Sequence, residues 1–192
     1  MPVIEANAPA PSAGEAPALD ARTFRNAMGQ FATGVVVIST EFEGHIHAMT
    51  ANAFMSGSLE PPLVLVSVAH TARMHDRLRH ARVFGISVLM REQLFVSNHF
   101  AGKPIPDKAP RFELLDGLAV IEGAAVQVAT RLQHEYACGD HTLFVGHVTA
   151  VRTHAEPRPL LFHGGRYANL AQPETQAPPS MDSFWANNEL CW

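Results

Sequence analysis

The chain has 192 residues, 47% of them hydrophobic, and a formal charge of −4, with 14 Lys and Arg against 18 Asp and Glu. That size and apolar content fit one globular domain with a substantial core, and the lack of a Lys/Arg block excludes the footprint of a nucleic-acid binder. Apolar runs such as "VVVI" and "LVLV" are too short to span a bilayer as a helix.

In chain order, residues 1–19 are Ala/Pro-rich and lack a core-forming pattern, which predicts a flexible extension. They carry no basic segment followed by an apolar one, so secretion is not expected. Asp20 is a candidate N-cap, Phe24, Met28 and Phe31 recur at helical spacing, and Gly34 is expected to stop that helix. "VVVIST" (35–40) reads as a strand, Glu43-Gly44 as a turn, and a hairpin partner is expected to run on through "MTANAFMSGSLEPP" (49–62). "LVLVSV" (63–68) is a buried strand, and "TARMHDRLRHA" is a short helix with Thr71 as its expected N-cap. "VFGISVL" (83–89) is a strand, a helix follows through Phe100, and "AGKPIPDKAPR" (101–111) is a Pro-rich loop. Three further strands are expected in "AAVQVATRLQ", "HTLFVGHVTAV" and "PLLFHG".

The expected layout is an extension (1–19), one domain (20–170) and a tail (171–192). The tail carries Phe184, Trp185, Leu190 and Trp192, which read either as stray aromatics on a free end or as groups that pack back on the protein at the mouth of its site or a subunit seam. Many strands and few helices predict a mainly β protein, a closed or nearly closed antiparallel barrel, rather than a doubly wound fold. GxGxxG and GxxxxGK[ST] are absent, so a nucleotide cofactor would not sit on a Rossmann or P-loop site. Cys138 and Cys191 lie far apart with no CxxC, which fits reduced thiols in a cytoplasm.

The stretch 49–62 holds small, neutral hydrogen-bonding residues, and Glu60 is the only formally charged residue between Ile46 and Ala72. Thr50, Ala51, Asn52 and Ala53 suit the edge of a flat neutral ring such as a flavin, and Ser56 and Ser58 suit its ribityl chain or phosphate. Burying such polar groups is tolerable when a ligand pairs them. The start of the helix in "SVAHTARMHD", with Thr71 and Arg73, suits the phosphate. On composition alone the same residues also read as a strand, a turn and a capped helix with a solvated arginine.

"FRNAMGQFATGVVVIST", "HAMTANAFMSGSLEPPLVLVSV", "FAGK" and "GDHTLFVGHV", in this order, resemble the flavin reductase component of two-component flavin monooxygenases. The likeness is closest to reductases serving phenol or 4-hydroxyphenylacetate hydroxylases and runs from about Phe24 to Tyr167. It implies a split antiparallel β-barrel, a homodimer with flavin near the subunit interface, FMN or FAD as the flavin, and NADH rather than NADPH as the hydride donor. By that resemblance Thr33, Gly34 and Val35 line the cavity, and Thr50, Ala51, Asn52, Ala53 and Ser56 contact flavin. Ser67, Val68, Ala69, Arg73 and Met74 serve its phosphate, and Phe100, Ala101, Gly102 and Lys103 close over it. Gly139, Asp140 and His141 meet the nicotinamide, with His141 as the main positioning group, and Tyr167 is an aromatic near the same site. Ala48 and Ala129 stand where relatives often carry Gly and Cys.

The implied reaction passes hydride from NADH to flavin, and reduced flavin then diffuses to a separate monooxygenase. The alternatives are a split-barrel protein that keeps its flavin and reduces another acceptor, or a flavin carrier without turnover. The eleven histidines, including "HIH" (45–47) and His134 and His141 flanking Cys138, lack HExxH or paired CxxC spacing, so no metal is expected.

Overall fold

The structure, a computed structural model, describes residues 19–171. The expectations for the extension before Leu19, and for Phe184, Trp185, Leu190, Cys191 and Trp192, lie outside the described residues.

The chain opens on helix α1 (Ala21–Met28), capped by Asp20, whose carboxylate accepts from the Thr23 N–H at 2.9 Å. This helix ends earlier than its apolar spacing suggests. Gly29, not Gly34, is its C-cap, and Phe31 lies beyond it. Gly34 falls instead in a two-residue strand, β1 (Thr33–Gly34).

Hairpin β2 (Val36–Phe42) and β3 (His45–Ala51) turns at Glu43 and Gly44, both at positive φ (53° and 74°). That is the hairpin-turn geometry whose twist matches the strands. The expected single partner strand is two strands, because β3 stops at Ala51 and β4 (Phe54–Leu59) starts after Asn52 and Ala53. Next come β5 (Pro62–Ala69), α2 (Arg73–Ala81) and β6 (Val83–Val88). The N-cap of α2 is Ala72, with no side-chain bond, so Thr71 does not cap it. A 3₁₀ turn leads into α3 (Leu94–Phe100).

Hairpin β7 (Phe112–Leu115) and β8 (Leu118–Ile121) follows, then β9 (Val126–Cys138) and β10 (His141–Thr153), joined at Gly139-Asp140. The chain closes with β11 (Leu161–His163) and β12 (Arg166–Ala168).

The main sheet is antiparallel, in the order β3-β2-β6-β9-β10-β5-β4. Its two edges, β3 and β4, are consecutive in sequence and separated only by Asn52 and Ala53. Laid flat, those edges would stand roughly 29 Å apart at the usual strand spacing. The link from Ala51 to Phe54 spans at most about 11 Å. The sheet must therefore roll up until its edges meet end to end. One buried cluster accordingly takes side chains from β2, β5, β6, β9 and β10, with Met49 and Ala51 of β3 and Phe54 of β4 packed against it. No ladder joins β3 to β4, so the barrel is split there rather than closed.

Three buried polar side chains dock hairpin β7–β8 on the outside of the barrel. Ser39 Oγ donates to the Ala119 carbonyl (2.5 Å), Ser87 Oγ accepts from the Ile121 N–H (2.8 Å), and Gln127 Nε2 donates to the Ile121 carbonyl (2.7 Å). Each is a satisfied interior group, as burial requires. Gly85 lets the hairpin lie flat, since a Cβ there would sit 2.6 Å from the Ala119 oxygen and 2.9 Å from Val120 Cγ1. Gly85→Ala is expected to cost about 1–3 kcal/mol, as overpacking does. Urea denaturation of the variant beside the parent chain measures it, and an unchanged midpoint would refute the close approach.

Candidate functional site

Residues at the split are placed by the barrel's own constraint. β3 is an edge strand, so half of its backbone N–H and C=O groups have no strand partner. Around its end lie three recesses.

The first, about 200 Å³, is lined by Val35, Thr50, Ala51, Asn52 and Ser97, with Ala101, Phe162 and Tyr167. Its walls are held by a chain of hydrogen bonds. Thr50 Oγ1 donates to the Ser97 carbonyl (2.8 Å), Ser97 Oγ and the Tyr167 hydroxyl are 2.9 Å apart, and Tyr167 donates to Asn98 Oδ1 (3.3 Å). Ser97 is fully buried, so β3, α3 and β12 are tied through one serine. Phe162 meets Tyr167 edge-on at 5.6 Å.

The second, about 450 Å³, runs from Phe31 and Thr33 across Asn52, Ala53 and Ser67 to Leu143. Among the described residues Thr33 Oγ1 is buried there without a partner, as is His99 Nδ1 on α3. An orphaned hydroxyl lining a mainly apolar groove is what a ligand's polar edge would satisfy. The third, about 470 Å³, lies between β3 and α2, with His47, Ala48 and Met49 on one wall and Ala72, Arg73, Met74 and Arg77 on the other. Burial first, and the Arg77 charge second, hold the His47 imidazole below its ordinary range.

At the β9–β10 turn Gly139 takes a positive φ of 60°. The turn is pinned to β5 by the His70 N–H, which donates to the Asp140 carbonyl at 3.0 Å. His141 Nδ1 lies 2.7 Å from Asp140 Oδ1, which orients the ring, leaves Nε2 outward and lowers the Asp140 pKa. His141 pairs with Ala69, and Leu143, on the same strand face, lines the second recess. The next residue, Thr142, points the other way. Its hydroxyl lies 2.9 Å from Nε2 of His75, whose Nδ1 is 3.1 Å from Asp76 Oδ1. That buried pair fixes the pleat, and with it the face on which His141 emerges.

The structure thus gathers Thr33, Val35, Thr50, Ala51, Asn52, Ala53, Ser67, Ala101 and Tyr167 around Asn52, and places Arg73 and Met74 in the third recess. Among the three recesses lined by described residues, Tyr167 lines the first and His141 none. The Val68 side chain is buried in the barrel core, leaving only its backbone toward the outside, and Ala69 lies next to it opposite His141. Ser56 shares the strand face of Phe54, which packs on the core. Gly34 and Gly102 are exposed, and Phe100 turns inward against Phe112 at 5.9 Å. Lys103 is exposed, with its N–H donating to the Asn98 carbonyl at 2.8 Å.

Sequence reasoning missed Ser97 and His75, whose partners Tyr167 and Thr142 lie far along the chain, and Arg77, and it read His47 only as part of the "HIH" metal candidate. Among the described residues no three His, Cys, Asp or Glu side chains are arranged to hold a metal ion.

Residues 28–171 match the flavin reductase like domain family. An NADH-dependent flavin reductase of a Rhodococcus species is 42% identical over 149 residues, covering 76% of this chain and 84% of that protein. The reductase component of 4-hydroxyphenylacetate 3-monooxygenase from Thermus thermophilus is 36% identical over 154 residues, covering 78% and 97%. The solved structure of flavin reductase PheA2 superposes with a TM-score of 0.77 at 47% identity, covering 80% of this chain and all of that one. The chain belongs to the flavin reductase-like family, and its split barrel is the fold that family shares.

Tyr167→Phe removes the acceptor of the buried Ser97 hydroxyl. It is expected to cost about 1–3 kcal/mol, read as a lowered melting temperature. Full retention of stability would show that the Ser97 bond does not hold the wall.

Proposed function

We propose that the chain is an NADH:flavin oxidoreductase that reduces FMN or FAD and supplies the reduced flavin to a separate monooxygenase component in the cytoplasm. The observation that carries the reading is the uncharged split at Thr50–Ala53, where an edge strand, an orphaned Thr33 hydroxyl and apolar walls offer a flat ring hydrogen bonds without a nearby charge. The relatives named NADH-dependent flavin reductase and monooxygenase reductase component support the reaction and the partner.

A flavin held there would supply the acceptor for one hydride, that is two electrons with one proton, given up by the nicotinamide of NADH. The protein's part is to stack two rings at near-attack distance and keep water away. The backbone of 50–53 grips the ring edge, Arg73 at the start of α2 takes the phosphate, and Ala101 with the exposed segment Gly102-Lys103 covers the mouth. Asp140 holds the His141 ring so that Nε2 meets the nicotinamide or its carboxamide, a positioning role before any proton transfer. The basic groups that act on Asp140 are the imidazoles of His141 and His70, which supports NADH rather than the 2′-phosphate of NADPH.

In steady-state assays NADH oxidation is expected to depend on added FMN or FAD, with NADPH a poor donor. His141→Ala is expected to raise the apparent KM for NADH about tenfold or more with flavin affinity nearly unchanged. Unaltered NADH kinetics would remove His141 from the site. A flavin that stays bound through dilution and gel filtration would favour the alternative of a protein that retains its cofactor.

An apolar face left uncovered by the described residues supports a homodimer. Phe24, Met28 and Phe31 are 52%, 56% and 77% exposed, and α1 buries no residue. Met28 and Phe31 also border the second recess, so a partner subunit covering α1 would complete the wall of the flavin groove. Phe31→Asp is expected to shift sedimentation from dimer to monomer and weaken flavin binding. A parent chain that sediments as a monomer would exclude the dimer.

A further inference from the structure

The third recess is not needed for a ring at Thr50–Ala53, yet its β3 residues, His47 to Met49, directly precede Thr50 on the strand. His47 stands three residues before Thr50, about 10 Å along a strand. Arg73 and Arg77, one helical turn apart on α2, face the recess together. Among the described residues Arg73 and Arg77 have no carboxylate partner, unlike Arg79, Arg82, Arg91, Arg152 and Arg158; Arg22, Arg25, Arg111, Arg131 and Arg166 have none either, but Arg73 and Arg77 are the two that line this recess. No acidic side chain is among the residues that line the recess. Two cations with no partner in a cavity of about 470 Å³ call for an anionic ligand larger than one phosphate.

Beyond them lies an aromatic shelf. The Phe42 ring stands 6.4 Å from His47 and 5.7 Å from His80. From Thr50 outward the order is therefore neutral backbone, then guanidinium groups, then flat rings. A flavin dinucleotide presents isoalloxazine, two phosphates and adenine in the same order.

We propose that the recess between β3 and α2 binds the adenosine diphosphate half of FAD. Arg73 takes the phosphate shared with FMN, Arg77 takes the second phosphate, and the Phe42–His47–His80 shelf receives the adenine. The chain thereby selects FAD over FMN. This rests on the flavin reductase reading and names which flavin its site takes.

Riboflavin, FMN and FAD test it one group at a time, since each adds the next part of the ligand. In the parent chain KM is expected to fall from riboflavin to FMN and again from FMN to FAD. Arg77→Gln is expected to raise the ratio of KM for FAD to KM for FMN about tenfold, the scale of one charge-assisted hydrogen bond. Arg77→Lys, which keeps the charge, is expected to recover part of that ratio and guards against a folding defect. ADP is expected to compete with FAD and not with riboflavin. An FAD-to-FMN ratio that Arg77→Gln leaves unchanged, or ADP that fails to compete with FAD, overturns the proposal. Equilibrium titration with each flavin, followed by flavin fluorescence, gives the same comparison without turnover. Absent NADH oxidation would then count against the reductase reading, while the FAD-to-FMN binding ratio would still decide the recess.

Discussion

Everything in this molecule depends on a two-residue link between the opposite edges of one sheet. Seven strands pair in a row whose ends, β3 and β4, are neighbours in sequence through Asn52 and Ala53. The chain cannot cross a flat sheet in so few residues, so the sheet rolls and its edges meet without pairing. Two consequences follow from the same fact. The interior fills with Val, Ile and Phe from the inward face of each strand, the hydrophobic term that stabilises the fold. The seam, meanwhile, keeps edge-strand backbone groups free. A hydrogen-bonding surface thus appears where packing is interrupted, and it needs no charged residue to make it.

The elements around the seam are held by polar groups that are themselves buried. Ser97 joins β3, α3 and β12, and the His75–Thr142 pair joins α2 to the first residues of β10. Such bonds add about 1 kcal/mol each to net stability, but breaking one side leaves an unsatisfied group that costs more. Their larger effect is on position. Strand ends and helix ends fray most easily, and these bonds fall there. His141 sits beside Thr142, so the same bond that fixes the barrel end sets the direction of the side chain assigned to the nicotinamide.

The parts of this arrangement that depend on local chemistry were legible in the sequence. The Glu43-Gly44 turn, the buried strand 63–68, the helix ending at Phe100 and the cluster at Thr50–Ala53 follow from turn residues, β-branched runs and small neutral side chains. Two hairpins with equally local signals were passed over. Asp116-Gly117 and Gly164-Gly165 both take positive φ, and "LLDGLAV" carries one of the strongest short hairpin patterns. The helical reading of Phe31 and Gly34 failed for a different reason. Apolar spacing alone extended α1 past Gly29, whereas the chain needs Thr33 and Gly34 extended to pair with Phe162 and Leu161 of β11. Thr71 failed because the backbone turns at Ala69–Ala72 before the helix begins. Arg77 and Ser97 give no local signal, and His47 gives one only as part of "HIH", because what they face comes from elements tens of residues away.

The distribution of charge across the seam separates two jobs that would conflict in one place. A neutral ring buried against a guanidinium would strip the cation of solvent and leave it poorly paired. Keeping Arg73 and Arg77 one strand segment away, between β3 and α2, places the cations where a phosphate can pair with them and leaves apolar and backbone contacts for the ring. On the proposed reading the grip on the ring would consist of a few neutral hydrogen bonds at residues that are themselves half-exposed or exposed. Contacts of that kind hold a ligand in one orientation without holding it for long. A site so built suits a flavin that arrives oxidised and leaves reduced, and hydride passing directly between two rings needs no nucleophile from the protein.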